Sequence, residues 1–181
     1  PTPLPPVTKR ARPILPAESP GGRTLLEPRE YGPFPFVPIN DRPALRWPGD
    51  ARVAVWIVPN LEFFPLTRPL AGHPGEVAGP APTVRPWAQR DYGNRVGIWR
   101  LMRVLDQFEI RATASLNTDM IAQHPQVVEA AIARDWELMA HNETNSVKLP
   151  ALGPDEERQL IARCAERIDR FSAKRPRGWL G

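Results

Sequence analysis

A short apolar run is followed by a histidine and then by a cluster of polar residues. His141 follows the apolar residues 138–140, and the five residues after it are all polar: Asn142, Glu143, Thr144, Asn145 and Ser146. Ligands in α/β proteins collect at the carboxyl ends of strands, where an imidazole can act as an acid, a base or a metal ligand. A histidine bonded to a neighbouring backbone group is the alternative. Five hydrogen-bonding side chains in succession favour a loop that lines a pocket or caps a helix.

Strand and helix patterns alternate on both sides of this histidine. Apolar runs predict strands over residues 52–60, 111–117 and 136–140, and a fourth strand that begins at Arg177. Apolar residues that recur every three and four positions predict helices over residues 94–109, from Thr118 or Asp119 to Ile132, and from Gly153 onwards. Residues 65–88 are predicted to form a long irregular connection. The order β-α-β-α-β-α-β predicts an α/β protein with a parallel sheet, either open or closed into a barrel.

Proline divides the chain into two parts. Of 24 prolines, 13 lie in the first 50 residues, and proline both removes an amide donor and restricts φ, which opposes helices and central strands. We therefore predict an extended or partly disordered arm over residues 1–46, disordered up to about residue 25, and a folded domain over residues 47–181. Tyr31, Phe34 and Phe36 are too apolar for a free linker, which predicts that this part of the arm packs on the domain surface.

Charge and cysteine content narrow the class of protein. The net charge is +4, but the 21 arginines and 3 lysines are interleaved with acidic residues, which predicts a solvated surface and no nucleic-acid partner. Cys164 has no second cysteine to pair with and falls on the apolar side of a helix, which predicts a small buried side chain. The sequence has no signal-peptide pattern and no apolar run of membrane-spanning length, so we predict a cytoplasmic protein without a membrane partner.

A second polar stretch, RDYGNRVG, precedes the first predicted helix. Asp91 is a candidate cap for that helix. Tyr92, Asn94 and Arg95 would then lie near the helix N-terminus, where donors can hold an anionic or ureide substrate. The alternative is a capping motif in which Arg95 pairs with Asp91 or Glu62. The residues alone leave both interpretations open.

Four motifs, in order along the chain, carry a resemblance to a known family. They read VAVWIVPNLEFF, RDYGNRVGIWRLMRVLDQFEIRATASLN, HPQVVEAAIARDWELMAHNETNS and RPRGWLG. Over residues 44–181 the chain resembles the polysaccharide deacetylase (NodB homology) family, and within it the metal-poor branch of allantoinase-like amidohydrolases. The resemblance implies the N-terminal half of a distorted (β/α)7 barrel, with further strands after Gly181. It also implies hydrolysis of a carbon–nitrogen bond other than a peptide bond, as in deacetylation of N-acetyl sugars.

Two of the family's motifs can be transferred residue by residue. The first reads Thr-Phe-Asp-Asp in family members, and its two acids are a general base and a metal ligand. The corresponding residues run from Asn60 to Phe63, so that Glu62 matches the base while Phe63 has no ligand atom. The second motif, His-x-x-x-His, corresponds to His141 through Asn145 and keeps one histidine. A strand-end carboxylate paired with an arginine is the alternative for Glu62.

The resemblance thus implies Glu62 as the general base and His141 as its acid or electrophilic partner. Trp179 lies where the third motif supplies an active-site ring, although a core tryptophan is the alternative. Zinc requires three protein ligands, so we predict no bound metal; the alternative is a weak site for a divalent metal such as zinc at Glu62, His141 and Asn145. The predicted substrate-binding residues are Asn60, Tyr92, Arg95, Asn145 and Trp179.

Two functions follow from this interpretation. The first is hydrolysis of a small amide, a cyclic amide or ureide, or an acetylated sugar. The second is a non-catalytic fragment or subunit that binds a partner through its arm and an open sheet edge. Four strands, the last barely begun, leave an edge and part of the apolar interior uncovered. We therefore expect a homo-oligomer, or the remainder of a longer chain, to complete the sheet.

Overall fold

The computed structural model describes residues 36–70, 77–147 and 149–181. The chain divides into two compact units, Pro1–Asp50 and Ala51–Gly181. In the first unit, residues 36–50 contain two short 3₁₀ turns, Ile39–Asp41 and Pro48–Asp50. The predictions of disorder up to about residue 25 and of surface packing by Tyr31 and Phe34 lie outside the described residues.

The second unit has a parallel sheet with helices between its strands. Its elements are β1 (Asn60–Leu61), α1 (Val84–Tyr92), a π-helical turn (Gly93–Gly97), α2 (Ile98–Gln107), β2 (Thr113–Leu116), α3 (Met120–Gln123), α4 (Pro125–Ala133), β3 (Glu137–Ala140), a 3₁₀ turn (Leu149–Ala151) and α5 (Pro154–Ser172). The strands lie in the order β1-β2-β3, and each neighbouring pair is parallel. Trp179 adds a parallel bridge to Ala140. The predicted α/β class with a parallel sheet is therefore confirmed.

Strand β1 is much shorter than the strand predicted over residues 52–60. The carbonyls of Ile57, Pro59 and Leu61 still accept bonds from the amides of residues 113, 115 and 117, at 3.0, 2.9 and 2.9 Å. Proline has no amide proton, however, so Pro59 cannot return a bond to β2. Regular pairing in both directions therefore begins only at Asn60. Most of the predicted range was therefore wrong: β1 shares only residue 60 with it, and Val53, Val55 and Trp56 are exposed. Pro59 limits the pairing just before Asn60.

The first helical segment begins at Val84, so the prediction of a start at residue 94 was wrong. Helix α1, the π-helical turn and α2 follow one another without a gap from residue 84 to residue 107. Pro86 lies in the first turn, where its missing amide proton costs no intrahelical bond. Asp91 consequently is not a helix cap, because it lies in the last turn of α1 and is buried. Residues 84–88, which were predicted to belong to the irregular connection, are therefore helical.

The second predicted helix is divided at His124. Helix α3 ends at Gln123, and Pro125 opens α4 in the first-turn position that proline favours. The predicted apolar face is otherwise confirmed, since Val127, Val128 and Ala131 are buried. His124 lies between the two helices with a non-helical backbone. Its ring packs edge-on against Phe63 at a centroid distance of 6.0 Å.

The two faces of the sheet carry different side chains. In β2, the apolar core residues Ala114 and Leu116 alternate with Thr113 and Ser115, and successive side chains of a strand point to opposite faces. The apolar face packs with helical residues into one core: Ile98, Met102, Leu105, Val128, Ala131, Leu160, Cys164 and Ile168. The other face of β2 carries polar residues, and it continues beyond the strand to Asn117.

Helix α5 confirms the helix predicted from Gly153 and seats the lone cysteine. Its N-terminal amide at Gly153 donates to Glu156 Oε2 at 3.2 Å, and Leu160, Cys164 and Ile168 are buried. Burial raises the pKa of the Cys164 thiol to about 11, so that it stays protonated. The prediction of a small buried side chain is confirmed. Within the described part of the chain, no helix has both the length and the apolar character needed to cross a membrane.

Candidate active site

Glu62 and His141 follow the two strands that flank β2. The register pairs Leu61 with Leu116 and Leu116 with Ala140, so the next residue of each strand, 62, 117 and 141, continues one row across the sheet. The backbones of β1 and β3 are two strand spacings apart, about 10 Å, a gap that two long side chains can bridge. His141 Nε2 lies 3.4 Å from Glu62 Oε1, and both side chains are mostly shielded from solvent.

The His141 ring is held in one orientation by the backbone. Its Nδ1–H donates to the carbonyl of Leu180 at 2.7 Å, because a carbonyl oxygen can only accept. The amide of Leu180 in turn donates to the carbonyl of Ala140 at 2.9 Å. With Nδ1 committed to Leu180, Nε2 is the nitrogen that faces the Glu62 carboxylate. A proton on Nε2 makes this contact favourable, and the ring is then an imidazolium.

The Glu62–His141 contact shifts both groups toward their charged forms. The His141 hydrogen bond holds the pKa of the Glu62 carboxyl below its usual range; burial opposes this effect, and bonds from Asn145 and Asn60 add to it. The Glu62 hydrogen bond raises the pKa of His141, burial opposes that shift, and the Leu180 carbonyl adds to it. At neutral pH the pair therefore consists of a carboxylate beside a protonated or readily protonated imidazole.

The ion pair should stabilise the fold most between about pH 4.5 and 6.5, the ordinary pKa values of the two groups. Glu62 has a lowered folded-state pKa, so its contribution is lost as the pH falls through that value. His141 has a raised folded-state pKa, so its contribution is lost as the pH rises through it. Urea unfolding of wild type and His141→Gln should differ by an extra ~1 kcal/mol inside this window. A difference in unfolding free energy that does not change with pH would contradict the pairing.

Three side-chain amides surround Glu62. Asn60 Nδ2 donates to Glu62 Oε1 at 3.2 Å, and the Asn145 side chain also bonds to the carboxylate. Asn94, from the π-helical turn, donates to the backbone carbonyl of Glu62 at 2.9 Å. The two glycines that bound this turn, Gly93 and Gly97, lie beside Asn94 in the cleft wall. Single π turns in helices occur often at functional sites.

Asn117 is a residue that the sequence analysis did not single out. It follows β2 directly, and its side chain is fully buried. Its Oδ1 accepts a bond from the amide of Phe63 at 2.9 Å, and its Nδ2 donates to the carbonyl of His141. A signal for it was present in the sequence, because a polar residue ends the apolar run of β2 just as His141 ends that of β3.

The site lies between two clefts. A cleft of about 320 Å³ adjoins Glu62 and is lined by Asn60, Phe64, Arg90, Asn94, Ile98 and Leu101, among others. A second cleft of about 220 Å³ adjoins His141, Asn145 and Trp179. Trp179 is half-buried and also packs against the core, as the alternative for this residue predicted. The structure thus brings together Asn60, Glu62, His141, Asn145 and Trp179.

Tyr92 and Arg95 lie outside the walls of these two clefts. Tyr92 is 52% exposed, and its hydroxyl accepts a bond from Arg100 at 3.2 Å. Arg95 forms an ion pair with Asp91, which was the alternative considered for this stretch. Asp91 also faces His124 Nε2 at 3.8 Å. Asp91 lies one helical turn before Arg95, so their ion pair stabilises the helix. The Arg95 guanidinium is thus bonded to Asp91 and does not line the cleft.

The donor set around Glu62 does not suit a metal ion. Zinc takes three protein ligands of nitrogen, oxygen or sulfur type, and Phe63 contributes no ligand atom. Of the remaining candidates, Glu62 and His141 carry a carboxylate and an imidazole, and Asn145 carries only a neutral amide, so the site is one strong ligand short. Over residues 36–70, 77–147 and 149–181, no three His, Cys, Asp or Glu side chains are grouped to hold a metal.

Comparison with known proteins gives a family and a fold. A family model of polysaccharide deacetylase matches residues 89–180. A Puue allantoinase structure matches with a TM-score of 0.67 and 22% identity, over 74% of this chain and 47% of that chain. A probable polysaccharide deacetylase from Pseudomonas aeruginosa PAO1 matches with a TM-score of 0.69 and 22% identity, over 77% and 50%. The chain thus spans about half the length of these two proteins. No curated protein sequence matches it significantly.

Proposed function

The chain belongs to the polysaccharide deacetylase family, and from this premise we propose that it hydrolyses a carbon–nitrogen bond other than a peptide bond. The proposal assigns Glu62 as the general base and His141 as its acid partner. The observation that carries it is the 3.4 Å contact between Glu62 Oε1 and His141 Nε2 at the carboxyl ends of two parallel strands. Ligands in α/β folds bind at these ends.

Amide hydrolysis needs a base that activates water and an acid that protonates the leaving nitrogen. In our proposal the Glu62 carboxylate takes a proton from water as the water oxygen bonds to the substrate carbonyl carbon. The carbon–nitrogen bond then breaks with its electron pair on nitrogen, which receives the Nε2 proton of His141. Glu62 returns its proton to His141 across their contact, and this transfer restores both groups. The lowered pKa of Glu62 keeps it ionised, at some cost in basicity.

The negative oxygen of the intermediate needs donors that are already in place. The side-chain amides of Asn60 and Asn145 reach the Glu62 carboxylate, so a substrate beside that carboxylate comes within reach of the same donors. The proposed substrate-binding residues are therefore Asn60 and Asn145, with Trp179 as a wall of the neighbouring cleft. For Tyr92 and Arg95 no contact with the clefts supports this role. The donor set does not fit a metal, so no step is assigned to one.

The size and lining of the clefts support a small, largely uncharged substrate. Phe64, Ile98 and Leu101 give the cleft beside Glu62 an apolar side, and Asn60 and Asn94 give it amide groups. Amide side chains pair well with amide, ureide or acetamido groups, which have both donors and acceptors. We therefore propose a cyclic amide or ureide, or an acetylated sugar, as the substrate class.

The sheet order supports a barrel as the larger architecture. Strands β1 to β3 neighbour one another in chain order, and the bridge at Trp179 continues that order beside β3. A doubly wound sheet contains a reversal of strand order, whereas a barrel does not. We propose on this basis that the strands are part of the distorted (β/α)7 barrel implied by the resemblance.

A substrate panel tests the proposed hydrolysis. Allantoin, cyclic imides and N-acetylglucosamine oligomers would be incubated with the protein, with and without EDTA, and product amine or acid would be measured. We expect turnover of one of these classes, unchanged by the chelator because no step uses a metal. Activity that disappears with EDTA and returns with zinc would contradict the metal-free assignment. A complete lack of turnover would favour the second function, a non-catalytic subunit that binds a partner.

A further inference from the structure

We infer that Asn117 is a positioning residue that holds the Glu62 and His141 side chains at their working separation. This inference rests on the proposed function of that pair. The Asn117 side chain forms no hydrogen bond to the carboxylate or the imidazole; its bonds go to the backbone. It acts on the backbone of Phe63 and on that of His141, and so determines where the two strands end relative to each other.

The position of Asn117 follows from the register of the sheet. The amide of Asn117 donates to the carbonyl of Leu61 at 2.9 Å, and the amide of His141 donates to the carbonyl of Leu116 at 2.9 Å. Residue 117 is therefore the middle member of the row that contains Glu62 and His141. The two outer side chains reach each other across a middle residue that is short, and a long side chain at 117 would occupy the same space.

The side chain of Asn117 continues the sheet where the ladder ends. Its Oδ1 accepts a hydrogen bond from the amide of Phe63, and its Nδ2 donates to the carbonyl of His141. These two backbone groups lie on opposite sides of β2, just past its last paired residue. One terminal amide supplies the acceptor for one neighbour and the donor for the other. A carboxylate lacks the donor, and an aliphatic side chain lacks both.

Burial makes the Asn117 hydrogen bonds costly to break. Asn117 is 0% exposed, and an unsatisfied polar group in such a place is costly. Below it, the carbonyl of Asn117 accepts the amide of Met120 at 3.1 Å, which ties the residue to the start of α3. The chain segments that follow β1 and β3 are therefore hydrogen-bonded to the same residue.

The experiment compares Asn117→Ala with Val128→Ala, a fully buried truncation in α4, a helix that contributes no lining residue to either cleft. Both variants are expected to lower the melting temperature. Only Asn117→Ala should bring the His141 pKa back toward its ordinary value of 6.5, followed by NMR of the imidazole and assigned with His141→Gln. In the active protein, Asn117→Ala should also lower kcat by roughly 10- to 100-fold with little change in KM, because misplacement of the pair affects the chemical step.

The results separate the positioning role from the proposed function. If Asn117→Ala and Val128→Ala leave the same His141 titration as wild type, Asn117 is only a structural residue and the inference is overturned. If wild type hydrolyses none of the panel but the titration still moves only in Asn117→Ala, the proposed function fails while the positioning role stands. Should Asn117→Ala not fold, Asn117→Ser gives the same test, because its shorter hydroxyl cannot reach both neighbours.

Discussion

Glu62→Gln is expected to lower turnover by ~10² to 10⁴-fold, because the substitution keeps the shape of the side chain and removes the base. The amide can still occupy the space between Asn60 and His141, so we expect the fold to remain intact. The assay would use the substrate that the panel identifies and would record kcat and KM separately. A loss confined to kcat is the expected result, since the base acts in the transition state.

Glu137→Gln is the matched control for this substitution. Glu137 opens β3 at the end of the sheet opposite His141, and half of its side chain is exposed. The same chemical change there should leave turnover unaltered. Unchanged kinetics in a folded Glu62→Gln variant would show that Glu62 is not the base.

Met102→Ala is expected to destabilise the protein by about 2 to 5 kcal/mol, the usual range for truncating a buried methionine. Met102 lies on the inner side of α2 with 0% exposure and belongs to the core beneath the sheet. The loss is large relative to the total stability of a domain of this size. Urea unfolding monitored by tryptophan fluorescence would measure it, as a lower midpoint with a similar slope.

Val104→Ala serves as the comparison for Met102→Ala. Val104 lies two residues further along the same helix and is 48% exposed, so its truncation should change the unfolding free energy by at most about 0.5 kcal/mol. Equal losses in the two variants would mean that α2 does not present these faces as described. Alanine has a higher helix propensity than either residue, so a loss of stability in Met102→Ala reports core packing and not helix propensity.

The sequence by itself was sufficient for the features that depend on local pattern. Alternating strand and helix periodicities predicted the α/β order, and the apolar run before His141 predicted a strand end there. Cys164 and its apolar neighbours predicted the buried side of α5. These predictions succeed because burial of one face imposes a regular spacing on neighbouring residues. The motif resemblance, in turn, indicated Glu62 as the partner of His141, although 79 positions separate them.

Tertiary structure alone decided how the strand ends are arranged. Pro59 shortens β1 because it has no amide proton to donate to β2. This effect could not be predicted before β2 was known to be the neighbouring strand. Asp91 appeared to be a cap, yet α1 begins seven residues earlier and its carboxylate turns to Arg95. The part played by Asn117 depends on two backbone groups that are 54 and 24 positions away. No local pattern encodes such partners, because parallel strands are neighbours in space only after the intervening helices have packed.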